Sequence, residues 1–313
     1  MSGDFKIVIT GGAGLVGQNL IHRLTKRGYR RIVAIDKHPA NTATLARLNP
    51  AAQIIEADLA EGGKWEEAFA GAHSLVLNHA QIGGIDEKPF LDNNVRATAN
   101  VIAAARANSV ANVIHISSSV VNSLARDYYT ESKKAQEKLA VDSGLPVCVI
   151  RPTLMFGWFD RKHLGWLARF MRRTPVFPVP GDGQYLRQPL YVGDFCDIVA
   201  SCIERPRPGQ AFNISGQETI SYIDLIRAVK SATGSSTRVV CIPYRLFWLL
   251  LRTYALVDRN PPFTTLQLEA LAIPETFEVI DWPTILGVRS TPLSEALCET
   301  FQHPVYSNVV LDF

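Results

Sequence analysis

Asp4-Phe-Lys-Ile-Val-Ile-Thr10 runs into Gly11-Gly-Ala-Gly14-Leu-Val-Gly17, then Gln18-Asn-Leu-Ile-His-Arg-Leu-Thr-Lys-Arg-Gly28, then Arg31-Ile-Val-Ala-Ile-Asp36. An apolar run rich in β-branched residues reads as a strand, three glycines spaced by three as a turn, the next stretch as a helix, and the last as a second strand ending in an acid. Gly11 permits a tight exit from the strand. Gly14 leaves the backbone open to a pyrophosphate, and Gly17 lets the helix pack on the sheet. The helix N-terminus, where Leu15 and Val16 lie, then faces phosphates with unpaired N–H groups and a partial positive charge. Asp36 is the acid that such a motif requires about 20 residues on. It is expected to accept hydrogen bonds from the adenosine ribose hydroxyls and to repel a 2′-phosphate, which favours NAD over NADP. Lys37 and His38 follow directly and soften that preference.

The bulk numbers bound the rest. A chain of 313 residues suffices for one large α/β domain or a domain plus a smaller lobe, and 47% apolar residues supply a substantial core. A net charge of +3 leaves no nucleic-acid or membrane footprint. The five cysteines (Cys148, Cys196, Cys202, Cys241 and Cys298) form no metal-like pair. Cys148 and Cys241 sit in apolar runs, and the set reads as buried free thiols of a reducing compartment. The start of the sequence carries no signal peptide. The longest apolar stretch, Leu246-Phe-Trp-Leu-Leu-Leu251, is far short of the ~20 residues that span a bilayer. A cytoplasmic protein without a spanning segment or a metal is the expectation.

Further strand-like runs are Gln53-Ile-Ile-Glu-Ala-Asp58, Ser74-Leu-Val-Leu-Asn78, Asn112-Val-Ile-His-Ile-Ser117 and Pro146-Val-Cys-Val-Ile150, with helical stretches near 15–27, 64–71, 91–108 and 128–143. Apolar strands alternating with helices predict a Rossmann-type doubly wound parallel sheet covered on both faces. Ligands bind such sheets at the carboxyl ends of the strands. That edge collects residues 11–17, Asp36, Asp58, residues 78–81 and residues 117–119. Asp58 either meets the adenine amino group or caps a helix beginning at Leu59. Lys37, Leu59, Asn78, His79, Ala80 and Pro152 complete the expected cofactor lining, and Gln81 and Ser119 the substrate side. His79 and His115 read as packed or hydrogen-bonded side chains rather than proton shuttles.

After residue 152 the pattern turns mixed, with helices over 160–173, from Asp194, from Ser221 to about Ala232, over 244–257 and over 292–301. This predicts a dinucleotide-binding domain over 1–180 and a smaller mixed α/β substrate lobe over 181–313, with 188–215 partly returning to the core. The basic stretch around Arg161-Lys-His163 and Arg172-Arg173 reads as a solvated face able to attract a diphosphate. The tail from Pro304 is weakly patterned and is expected to be loosely held.

Tyr129-Thr-Glu-Ser-Lys133 carries the chemistry. Four residues apart on a helix, Tyr129 and Lys133 share one face. A phenol has a pKa near 10, and a neighbouring ammonium lowers it. A hydroxyl just past the fifth strand, supplied by Ser117-Ser118-Ser119, would hold the substrate oxygen. This set suits hydride transfer at a carbinol carbon, with tyrosine moving the hydroxyl proton and lysine also binding the nicotinamide ribose. Tyr128 lacks such a cation, because its partner four residues on is Ser132.

At these residues the chain resembles the extended short-chain dehydrogenase/reductase family, the nucleotide-sugar epimerases and their relatives. Asn94-Val-Arg-Ala-Thr98, Arg151-Pro-Thr-Leu-Met-Phe-Gly157 and Gln188-Pro-Leu-Tyr-Val-Gly-Asp194 extend the likeness over most of the chain. The resemblance implies Ser118 as the catalytic hydroxyl, Asn94 as an organiser of the active site, and Arg187 as the grip on a substrate pyrophosphate. It also implies NAD as cofactor, a nucleotide-linked sugar as substrate, and a homodimer built through the helices near 91–108 and 128–143.

Departures qualify the implication. Val121-Asn122-Ser123 replaces the family's usual Val-Tyr-Gly, and only ten residues separate Ser118 from Tyr129, which shortens a loop that touches the sugar. Ser119-Val120 stands where the 4,6-dehydratase branch carries Asp-Glu, so water elimination is disfavoured. Two other branches share features with the second half. The apolar helix 244–257 is similar to that of hydroxysteroid dehydrogenases, which act on apolar alcohols. The segment from Pro261-Pro-Phe-Thr264 to Leu286-Gly-Val-Arg-Ser-Thr-Pro292 resembles the nucleotide-binding accessory subunit of respiratory complex I, which would make the chain a non-catalytic subunit.

Overall fold

The computed structural model describes residues 5–257, 268 and 278–312, with the backbone alone for 254–257. Seven strands form one parallel sheet: β1 (Lys6–Thr10), β2 (Ile32–Asp36), β3 (Gln53–Glu56), β4 (Ala72–Leu77), β5 (Asn112–Ile116), β6 (Val147–Pro152) and β7 (Ala211–Ile214). Their order across the sheet is β7-β6-β5-β4-β1-β2-β3. The order reverses between β1 and β4, and a crevice opens there at the carboxyl ends of both strands. The Rossmann-type reading of the sequence therefore holds.

Alternation along β1 shows why these residues make a covered sheet. Ile7 and Ile9 enter the apolar cluster of one face with Leu20, Ile21 and Val199. Val8 enters the other, with Val33, Leu75 and Val101. Each such side chain, fully withdrawn from water, contributes about 1.5–3 kcal/mol.

The longer helices are α1 (Leu15–Lys26), α2 (Pro39–Leu48), α3 (Ala97–Ala107), α4 (Tyr128–Val141), α5 (Leu164–Arg173), α6 (Val192–Glu204), α7 (Tyr222–Thr233), α8 (Tyr244–Val257) and α9 (Leu293–Gln302). Ser221 starts α7 as expected, its Oγ accepting from Asp224 N at 3.2 Å. The helix expected over 91–108 is divided. Leu91–Arg96 winds as a π-helical turn before α3 begins. The extra residue turns Asn94 inward, where it is completely buried, as such bulges do at functional sites.

Four further expectations need correction or qualification. Helix α2 was not foreseen, because Pro39-Ala-Asn-Thr-Ala-Thr-Leu has no sustained apolar stripe. Cys241 is exposed rather than buried, as is Cys298. Cys241 lies on a strand, Arg238–Ile242, whose one partner among the described residues is Val176–Pro180, so much of that strand faces water. That same pairing crosses residue 180, so a boundary there divides two strands that belong together. The tail, finally, is not loose: Tyr306 and Leu311 are buried, and Asn41 bonds the backbone of Asp312. The stretch from Pro261 to Thr264 lies outside the described residues.

Candidate active site

The glycine turn leaves β1 at Gly11, whose φ of +63° suits glycine. A Cβ on Gly17 would stand 2.4 Å from Gly12 O, so that glycine is demanded by helix–turn packing. A Cβ on Gly14 would meet only Gly11 O, at 3.4 Å. Among the described residues no other atom lies within 4 Å of that position, and no side chain caps α1 there. Asn78 at the end of β4 steadies the turn from across the crevice. Its Nδ2 donates to Gly11 O at 3.0 Å, and its N to Thr10 Oγ1 at 3.0 Å.

Asp36, at the end of β2, accepts from Ala13 N at 2.9 Å and from His38 N at 3.1 Å. Its carboxylate is thus fixed beside the glycine turn. No helix begins at Leu59; Asp58 instead closes a turn there, accepting from Ala60 N at 2.9 Å. Its other oxygen lies 3.3 Å from Lys37 Nζ, which also donates to Asn93 Oδ1 at 2.7 Å. Leu59, Val16 and Pro152 are buried, Leu15 is half-buried and Ala80 is exposed.

The Ser118 hydroxyl stands beside the Tyr129 phenol and acts to lower its pKa. The three serines have separate duties: Ser117 donates to Glu137 Oε2 at 2.5 Å, Ser118 meets the phenol, and Ser119 lines an open cavity of about 470 Å³. Asp127 starts α4 by accepting from Thr130 N at 3.0 Å, which sets Tyr129 in the first turn and Lys133 one turn below. The ammonium does not act on the phenol as expected. Lys133 Nζ donates to Ile116 O at 3.0 Å and to Gln136 Oε1 at 2.5 Å. Burial pushes the Tyr129 phenol above its ordinary value, with the Ser118 hydroxyl pulling against it. Burial likewise brings Lys133 down to about 7, with Glu137 opposing.

Around this pair lies a network that sequence reasoning identified only in part. Asn94 Oδ1 accepts from Gln81 N at 2.6 Å, and its Nδ2 donates to Gln81 O and Ser132 Oγ. Gln81 is itself engaged, accepting from Asn93 Nδ2 at 3.0 Å. His79 is held between Thr10 Oγ1 at 2.8 Å and Thr98 Oγ1 at 3.0 Å. Burial and the Lys133 charge bring it to about 3, so it is neutral. His115 is packed within the sheet and equally uncharged. Gln136 and Glu137 were missed. The available signal was their helix spacing: Glu137 falls one turn beyond Lys133. Arg187 lies on the strand Leu186–Arg187, paired with Ile220–Ser221. Its guanidinium donates to Leu186 O at 2.7 Å and lies over the Tyr185 ring.

Among the described residues no helix is long and apolar enough to cross a membrane, and no cluster of His, Cys, Asp and Glu could hold a metal ion. An open glycine turn, an uncapped helix N-terminus and an acid at the end of β2 fit a dinucleotide. Fold and site together define an enzyme of the extended short-chain dehydrogenase/reductase type. Residues 7–215 match the NAD dependent epimerase/dehydratase family, and the chain belongs to that family, with NAD as its cofactor. It is 25% identical to a UDP-glucose 4-epimerase of Vibrio cholerae over 305 residues, covering 88% of this chain and 90% of the relative. It is 26% identical to a 2-alkyl-3-oxoalkanoate reductase of Stenotrophomonas maltophilia over 312 residues, covering 88% and 91%. The structure of UDP-glucuronic acid 4-epimerase from Bacillus cereus, solved with NAD, superposes with a TM-score of 0.74 at 21% identity, covering 95% of this chain and 98% of that one.

Proposed function

We propose that the chain acts on a nucleotide-linked sugar as a C4 epimerase or 4-ketoreductase, with Tyr129 as acid–base, working as a cytoplasmic homodimer. The observation that carries this reading is the Ser118 hydroxyl beside the Tyr129 phenol, one residue from a cavity lined by Ser119, Asn122, Arg151, Asn213 and Ser215. Such a lining sets side-chain donors and acceptors for a polyhydroxylated ligand into a wall whose exposed area is mostly apolar. The likeness to a UDP-glucose 4-epimerase along nearly the whole chain supports it.

In this reading Tyr129 Oη takes the proton of the sugar hydroxyl and later returns it. Ser118 Oγ holds the same oxygen in place, so the proton moves along a preset line. Lys133 Nζ, anchored to Ile116 O, would keep the base of the site positive as the phenolate forms. Asp36, with Gly11, Gly14 and Gly17, would hold the cofactor's adenosine ribose and pyrophosphate. NAD, when bound, supplies the acceptor and donor of hydride. An acid at position 36 favours NAD, and epimerisation with tightly held NAD needs no net redox.

A second reading, reduction of an apolar keto substrate, draws on two observations. One is the likeness to a 2-alkyl-3-oxoalkanoate reductase. The other is the commitment of Arg187 to Leu186 O and Tyr185 rather than to an open grip. Incubation with UDP-, dTDP- and GDP-sugars and NAD, followed by chromatography of the products, decides between them. Isomer interconversion is expected. A protein that binds NAD yet leaves the whole sugar panel untouched, while oxidising NADH with a 3-oxo acid, would overturn the first reading.

A further inference from the structure

We propose that residues 303–312 form a strap that positions the glycine turn and Asp36 for the adenosine half of the dinucleotide. The inference rests on the NAD site and not on the choice of substrate.

The strap begins where α9 ends and crosses both helices that flank the turn. Tyr306 is 9% exposed, its hydroxyl is 2.9 Å from His22 Nδ1 on α1, and its ring stacks on His303 and lies 4.6 Å from that of Trp158. Leu311 is 2% exposed and joins Trp158, Phe159 and Tyr306 in an apolar cluster separate from the two that cover the sheet. Leu15, the first residue of α1, and Leu48, the last of α2, pack against that cluster. Trp158 is bound to the same unit, since its Nε1 donates to Glu299 O at 2.8 Å and its carbonyl accepts from Asn19 Nδ2 at 3.0 Å.

A line of hydrogen bonds runs from the strap to the binding residues. Asn41 of α2 is almost wholly buried. It donates to Asp312 O at 2.5 Å and accepts from Asp312 N at 2.8 Å, a two-point clamp on backbone. The Asn41 carbonyl accepts from Gln18 Nε2 at 3.3 Å, and the same amide donates to Ala13 O at 3.2 Å. Ala13 N in turn donates to Asp36 Oδ2 at 2.9 Å. Buried polar groups linked in this way hold one another in place. Helix α2 has little apolar face of its own, so the clamp at Asn41 and the packing at Leu48 give it a fixed seat. Small displacements of a positioned group cost much of its binding, and restraint of the free protein recovers that cost.

The experiment compares NAD and ADP-ribose affinities by titration calorimetry for the full chain, a chain ending at Gln302, and the variants Asn41→Ala and Leu311→Ala. Ile226→Ala, a buried change on α7 outside the strap's own apolar cluster, serves as the control for general loss of stability. Affinity for both ligands is expected to fall by about tenfold in each strap variant, to stay within twofold of the full chain in Ile226→Ala, and to recover when the peptide spanning 303–313 is added to the shortened chain. Should the shortened chain not fold, the two point variants decide alone. Affinities within twofold of the full chain in folded strap variants, or an equal loss in Ile226→Ala, would overturn the proposal. Because the readout is dinucleotide binding without turnover, failure here leaves the proposed sugar chemistry untouched, and failure of that chemistry leaves this result interpretable.

Discussion

Lys133 Nζ lies 3.0 Å from the carbonyl oxygen of Ile116, the last residue of β5, so helix α4 is tied to the sheet through its buried ammonium. The tie has a cost. Burial brings Lys133 to about 7 from an ordinary 10.5, which means that folding favours the neutral amine. The stability this represents is fully present above pH 10.5 and is lost as the pH falls through 7. Lys133→Met, which removes the charge, is therefore expected to gain on the parent chain as pH falls from 10 to 6. Replacing a buried charge by an apolar side chain of like size is neutral or stabilising, by about 1–4 kcal/mol in favourable cases. Urea unfolding of both proteins without cofactor at pH 6 and pH 10 measures the difference, and activity should be lost at either pH.

Removing the phenol isolates the proton step. Tyr129→Phe keeps the ring in its half-buried seat and deletes the hydroxyl beside Ser118. Turnover should fall by about 10²–10⁴-fold, the range for loss of a general acid–base, with NAD affinity unchanged. Ser118→Ala should cost less, since the proton carrier remains. A Tyr129→Phe protein with undiminished turnover would remove the phenol from the mechanism.

The strands, the glycine turn and the Tyr129–Lys133 pair were legible in the sequence because local spacing determines each of them. A β-branched apolar run is a strand in almost any parallel sheet, and an i,i+4 pair shares a helix face in any helix. What spacing could not supply was direction. Ile116 O and Gln136 are 17 and 3 residues from Lys133, and only the packed fold shows that they take its ammonium in place of the phenol. The duties of Ser117, Ser118 and Ser119 were equally hidden, because they depend on Glu137, Tyr129 and the cavity wall. Helix α2 and the strap escaped for a related reason. Neither has a strong apolar period, and each is held by partners far along the chain.

Two glycines of the turn should fail in different ways. At Gly17 an added methyl would stand 2.4 Å from Gly12 O and 2.6 Å from Gly11 O, both backbone atoms of the tight turn. Gly17→Ala should destabilise the fold by about 1–3 kcal/mol, as overpacking does, visible as a lowered midpoint in urea without any ligand. At Gly14 the added methyl meets only one atom at 3.4 Å. Gly14→Ala should unfold like the parent chain yet bind NAD more weakly, since the methyl occupies the approach to the pyrophosphate.

Asp36 should govern the choice between the two nicotinamide dinucleotides. Its carboxylate is locked by Ala13 N and His38 N at the end of β2, and a 2′-phosphate would meet it as a like charge. Asp36→Asn keeps the acceptor for Ala13 N and removes the charge. NADP binding, measured by calorimetry, should strengthen while NAD binding weakens, and Lys37, no longer opposed by that carboxylate, becomes the counter-charge. Unchanged affinities for both would show that position 36 does not face the ribose.

Glu137 is the least visible contributor to the site. It accepts from Ser117 Oγ and from Arg151 Nε at 3.0 Å, with a second Arg151 bond to its other oxygen, and it raises the Lys133 pKa against the effect of burial. Its own carboxyl is held below the usual range by those partners despite its burial. Glu137→Gln keeps the shape and one acceptor but removes the charge. Lys133 then loses the neighbour that favours its protonated form, so the alkaline limb of the pH–turnover profile should move to lower pH. Arg151, in the cavity wall, keeps a weaker partner, and the Michaelis constant for the sugar substrate should rise. A structural role alone would lower stability and leave the profile in place. A profile unmoved on the pH axis, measured at saturating NAD, would therefore separate Glu137 from the charge balance of the catalytic pair.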